Sequence, residues 1–208
     1  PLIAWVAIGA RSSEDPEHRN FASMIDCPVG MKNPTSGDFG IGVNSVIAAQ
    51  HGHTFTLDRQ QVISTGNPHA HLVLRGGYQT GPNYHPRYIL MAAELMERMR
   101  VKNPSIIVDA SHDNAMVDGE KVYRQQIHVV DELLGYVRDS DERYDRVRKT
   151  LRGFMIESNL KPGCQKIEKM KPSEVDMDGL SITDPCIGWE DTEALVRRIA
   201  ETWEFINQ

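Results

Sequence analysis

Five times along this chain an apolar run is followed by a stretch with helical spacing. That alternation constrains the fold more than any other feature of the sequence. The runs are "LIAWVAIGAR" (2–11), "PVGMK" (28–32), "HLVLRGG" (71–77), "SIIVDASH" (105–112) and "GFMIESNL" (153–160). The stretches after them are "SSEDPEHRNFASMI", "GDFGIGVNSVIAAQH", "YILMAAELMERMR", "KVYRQQIHVVDELLGYVRD" and "DTEALVRRIAETWEFIN". Strands buried on both faces read as nearly continuous apolar runs. Repeated strand-then-helix units therefore predict an α/β fold with a parallel sheet. Between the second and third runs, "HTFTLDRQQVISTGNPHA" alternates about Asp58-Arg59 and predicts a β-hairpin inserted at 53–68. No repeat or linker divides residues 1–208, so a single domain is expected. Five units are too few to close an eight-stranded barrel.

Composition narrows the function classes. With 208 residues and 40% apolar content the chain can bury a sizeable core. No apolar stretch approaches the roughly 18 residues of a membrane span, so no membrane partner is expected. A net charge of −6 with no basic stripe argues against nucleic-acid binding. It leaves room for a small anionic ligand, because a few cations in a cleft dominate the local field. Cys27, Cys164 and Cys186 are odd in number and widely spaced. A disulfide framework is not expected, no signal peptide is apparent, and a cytoplasmic location fits. The sequence starts at Pro1 rather than Met and runs straight into an apolar segment, which reads as the interior of a domain.

What terminates each strand suggests chemistry. The first three runs end in Arg11, Lys32 and Arg75, and the last two carry His112 and Glu157. In a parallel barrel these ends share one face. Three cations there suit phosphate or carboxylate, although strand-end charges are often only solvated. His112 and Glu157 suit a divalent metal, with Asp184 in "SITDPCIG" as a third ligand. A capping or turn role is the plainer reading of an Asp before Pro. His69 and His71 sit two apart and could chelate, but a polar hairpin edge is the simpler expectation. Cys186 reads as a small buried residue and "GYQTGPNYH" as a flexible loop, possible lid included.

The segments "AIGARSSE", "CPVGMKNPTSG", "HLVLRGG", "IIVDASHDN", "GFMIESNL" and "SITDPCIGWEDT" resemble, in order, the signatures of type I 3-deoxy-D-arabino-heptulosonate 7-phosphate (DAHP) synthases. The resemblance implies part of a TIM (β/α)8-type barrel, strands four to eight, and hence a C-terminal portion of the enzyme. It implies a transferase that condenses phosphoenolpyruvate with erythrose 4-phosphate in the shikimate pathway to aromatic amino acids. It also implies a divalent metal (Mn, Fe, Co or Zn). Arg11, Lys32 and Arg75 would then bind phosphoenolpyruvate, and His112, Glu157 and Asp184 the metal, with Lys32 and His112 catalytic. The family's Cys ligand and its "KPR" segment are not found in this sequence, and Asn159 stands where the family usually has His. The alternatives are a non-catalytic relative that binds phosphoenolpyruvate or another small anion, and a different metal-dependent barrel aldolase. An open sheet has unpaired edges, which predicts a homo-oligomer or pairing with a missing N-terminal segment.

Overall fold

A computed structural model describes residues 2–206. The elements in chain order are β1 (Val6–Ile8), α1 (Pro16–Met24), β2 (Val29–Lys32), α2 (Phe39–Gln50), β3 (Thr54–Leu57), β4 (Gln60–Ile63) and β5 (His71–Leu74). They continue with α3 (Pro86–Arg98), β6 (Ile106–Asp109), β7 (Met116–Val117), β8 (Glu120–Lys121), α4 (Gln125–Arg138), α5 (Asp145–Thr150), β9 (Leu151–Met155) and α6 (Trp189–Ile206). β1, β2, β5, β6 and β9 form one parallel sheet, and their spatial order is their chain order. β3–β4 and β7–β8 are separate antiparallel hairpins.

The order decides the architecture. A doubly wound sheet reverses its strand order at a switch point, where its helices change faces. Here the order never reverses over five strands, so right-handed crossovers put the helices on one side. The sheet's other side becomes the inside of a curving, barrel-type layer, and all five C-terminal ends open on one mouth. The helices start where the sequence signals a start. Asp15 caps α1 through the Glu17 amide with Pro16 in its first turn, and Asp38 caps α2 through the Gly40 and Ile41 amides. α3 then buries Ile89, Ala92, Ala93 and Met96, and α4 buries Val129, Val130, Leu133, Leu134 and Val137. Spacings of three and four place each set on one stripe against the sheet. β2 and β5 are buried along their whole lengths, which is why they read as unbroken apolar runs.

Several sequence expectations need correction. The stretch from Lys121 to Arg124 is not helical, because α4 begins at Gln125 and Lys121 belongs to the β7–β8 hairpin. His71 is not on a hairpin edge. It lies in β5, 7% exposed, with Nδ1 2.9 Å from the His69 carbonyl and Nε2 2.9 Å from the Trp5 indole nitrogen. Both ring nitrogens are thus engaged, so His69 and His71 form no chelating pair. The "GYQTGPNYH" stretch closes a backbone turn at 77–81. Gly77 and Gly81 exchange two backbone hydrogen bonds, and the Tyr78 amide donates to the Thr35 carbonyl.

Candidate active site

At the sheet's C-terminal mouth lies a cleft of 580 Å³ lined by Arg11, Lys32, Arg75, His112, Lys121 and Asp184, among others. That volume suits a small ligand. The centre of the site is Asp109, the last residue of β6 and fully buried. Its Oδ2 accepts from Lys32 Nζ at 2.7 Å, and its Oδ1 accepts from the Ser111 amide. Burial by itself would raise the Asp109 pKa. The His112 imidazole and the Lys32 charge beside it outweigh that and hold it below the ordinary carboxylate range.

His112 lies three residues further on, with a positive φ of 51° that turns the chain back on itself. This brings Nδ1 to 2.9 Å from Asp109 Oδ2. The alignment falls outside strict hydrogen-bond geometry, although the two atoms are in contact. A carboxylate on Nδ1 favours a proton there, which leaves Nε2 to act as a ligand atom. Nε2 lies 3.7 Å from Glu157 Oε1. One ligand atom each from His112, Glu157 and Asp184 lies within 4.8 Å of the others, a cluster that could bind a metal ion.

Glu157 is held on every side. Gln126, fully buried at the start of α4, donates to the Glu157 carbonyl at 3.2 Å and accepts from its amide at 2.8 Å. Ser111 Oγ and Lys121 Nζ both donate to Oε2, which leaves Oε1 facing His112. Lys121 also lies 3.1 Å from Asp184 Oδ2. Burial alone would raise the Asp184 pKa, but the hydrogen bond and charge of Lys121 keep it low. Both carboxylates on the trio are therefore supported from outside it.

The model of the DAHP synthetase I family matches residues 1–197 of this chain. The chain belongs to that family. The Trp-sensitive phospho-2-dehydro-3-deoxyheptonate aldolase of Escherichia coli K12 is 38% identical over 204 residues, covering 96% of this chain and 54% of that protein. The Tyr-sensitive aldolase of Salmonella typhimurium is 39% identical over 203 residues, 95% of this chain and 52% of that protein. The chain thus spans about half the length of the curated relatives it matches. The solved phospho-2-dehydro-3-deoxyheptonate aldolase of Francisella tularensis SCHU S4 superposes with a TM-score of 0.82 at 31% identity, over 97% of this chain and 55% of that one. The sheet is accordingly a barrel-type α/β sheet of the DAHP synthetase family, as its strand order suggests.

The structure places Arg11, Lys32, Arg75, His112 and Asp184 along one cleft, with Glu157 beside His112 and Asp184. The sequence alone assigns no role to Asp109, Ser111, Asp113, Lys121 or Gln126. Asn159 Oδ1 accepts from the Leu160 amide at 2.8 Å. Cys186 is 9% exposed, burial raises its thiol pKa, and its Sγ donates to the Asp184 carbonyl at 3.4 Å. It is a small buried neutral residue.

Proposed function

We propose that this chain carries the metal- and phosphoenolpyruvate-binding part of a DAHP synthase. The reaction is condensation of phosphoenolpyruvate with erythrose 4-phosphate to DAHP and phosphate, the first step of the shikimate route. The observation that carries this reading is the meeting of Arg11, Lys32 and Arg75 with the His112, Glu157 and Asp184 trio at a single mouth. An imidazole nitrogen with two carboxylates is a donor set suited to Mn, Fe, Co or Zn. Such an ion, when bound, supplies Lewis acidity to the aldehyde oxygen of the sugar phosphate.

The chain's own residues do the rest. Arg11, Lys32 and Arg75 receive the phosphate and carboxylate of phosphoenolpyruvate. Lys32 and Arg75 are 9% and 7% exposed, so they offer fixed charges rather than mobile ones. Fixed charges orient the substrate and lower the barrier without reorganising. The bond formed joins C3 of phosphoenolpyruvate to the aldehyde carbon. Water adds at C2, and one of its protons passes to the former aldehyde oxygen. The bond from C2 to the phosphate ester oxygen then breaks as the C2 hydroxyl loses its proton to become the ketone. The protonated phosphate departs into the cation cluster. Lys32 is the catalytic cation beside the substrate, its proton shared with Asp109, while His112 is held as ligand by the same carboxylate.

The cytoplasm is the proposed setting, with strand pairing at β1 and β9 completing the sheet. Among the described residues, no helix is long and apolar enough to cross a membrane. A second reading, a binder of phosphoenolpyruvate without turnover, is favoured by one observation. Lys32, Arg75 and Lys121 each already face a carboxylate of the chain. The test assays the purified chain with Mn²⁺ and both substrates for DAHP, alongside thermal melts with phosphoenolpyruvate. DAHP formation supports the synthase. A melt shift that vanishes in Arg75→Ala, without product, supports the binder. No shift and no product would refute both.

A further inference from the structure

Arg75 is the deepest guanidinium in the mouth, 7% exposed, and its Nη1 pairs with Asp113 Oδ2. Its Nε is buried with no hydrogen-bond partner. A carboxylate on a guanidinium is the same contact that a substrate's carboxylate would make. Among the described residues Asp113 makes no other ion pair, whereas Asp109 also meets His112, and Glu157 also meets Ser111 and His112.

The carboxylate is delivered by a fixed backbone. Asn114, fully buried, donates to the Leu74 and Asp109 carbonyls and accepts from the Asn83 amide at 2.8 Å. Gly76, at φ 75°, packs so tightly on this segment that a Cβ there would lie 2.7 Å from the Asp113 carbonyl carbon. Residues 113–114 are thus clamped between β5 and β6. The Asp113 side chain, 23% exposed, is the part left able to rotate away.

We infer that Asp113 is a specificity-determining residue, an internal anion seated on Arg75 that an incoming ligand must displace. This inference rests on reading the cleft as an anion site. A monoanionic carboxylate gains little there, because it exchanges one carboxylate for another and then faces the displaced charge. A phosphorylated carboxylate brings more charge and further oxygens, which reach Arg11 and Lys32 as well as Arg75. The internal anion therefore weakens every ligand but weakens monoanions most, and selectivity comes from that repulsive element.

The experiment is calorimetric titration of the full chain with phosphoenolpyruvate, inorganic phosphate and pyruvate, before and after Asp113→Asn. Asp113→Ser serves as a second variant, and circular dichroism checks that both fold. Affinity for phosphoenolpyruvate rises about tenfold in both variants, and the preference for phosphoenolpyruvate over pyruvate narrows. Phosphoenolpyruvate affinity that is unchanged or weaker in both variants, while Arg75→Ala abolishes binding, overturns the role of Asp113 and leaves the anion site standing. Absence of binding by the wild type and both variants alike, with no effect of Arg75→Ala, overturns the anion site together with it.

Discussion

Gln126 shows how one side chain can fix a site it never enters. It replaces a strand neighbour for Glu157, satisfying both its amide and its carbonyl just past the end of β9. Gln126→Leu keeps the volume and leaves the Glu157 amide unpaired, while the Glu157 carbonyl keeps its bond from the Ile187 amide. The expected cost is about 1–3 kcal/mol of unfolding free energy, read by urea denaturation, together with weaker Mn²⁺ binding. His71 gives a pH prediction. Burial lowers its pKa from the ordinary 6.5, against the opposing bond to the His69 carbonyl. The unfolded chain therefore takes up the proton first. Its contribution is complete above pH 6.5 and is lost as pH falls through that value toward the folded-state pKa. In His71→Gln, the loss of stability between about pH 7.5 and about pH 5.5 shrinks. An unchanged slope would show that other groups carry it.

At the scale of elements, the strands and most helices were legible because each is an unbroken apolar run or a stripe at helical spacing. Lys121 was not, because "KVYRQQIHVV" has a pattern a helix can share. A signal was present in "VDGE", since Asp-Gly between short extended pieces favours a type I′ hairpin. Asp118 at φ 50° and Gly119 at φ 85° adopt that left-handed turn. The role of Asp109 was hidden for another reason. A strand-end carboxylate looks like any other until the fold reveals Lys32 and His112 converging on it from opposite directions in sequence. Cap chemistry, by contrast, could be read directly. Asp38→Ala removes the acceptor for two amides at the start of α2 and costs about 1 kcal/mol, measured as a lower midpoint in thermal unfolding.

For the whole molecule, the alternation of strand and helix settled the fold class, but the count of strands could not say how the sheet is finished. Among the described residues β1 pairs only with β2 and β9 only with β6, so each offers a free backbone edge. Such edges template pairing with further strands. Light scattering of the purified chain at rising concentration is expected to show masses above 23.4 kDa. A constant monomer mass would mean the edges are blunted by their own side chains.

The inner face of that sheet also carries an optical consequence. The Trp5 ring lies where a Cβ on Gly30 would sit 2.6 Å from it, and its indole donates to His71. A glycine is what admits the ring. A strand from another segment or a second copy that packs on this end of the sheet would change the surroundings of this indole. Its fluorescence should therefore change in wavelength and yield on assembly, making Trp5 a built-in signal for closure of the layer.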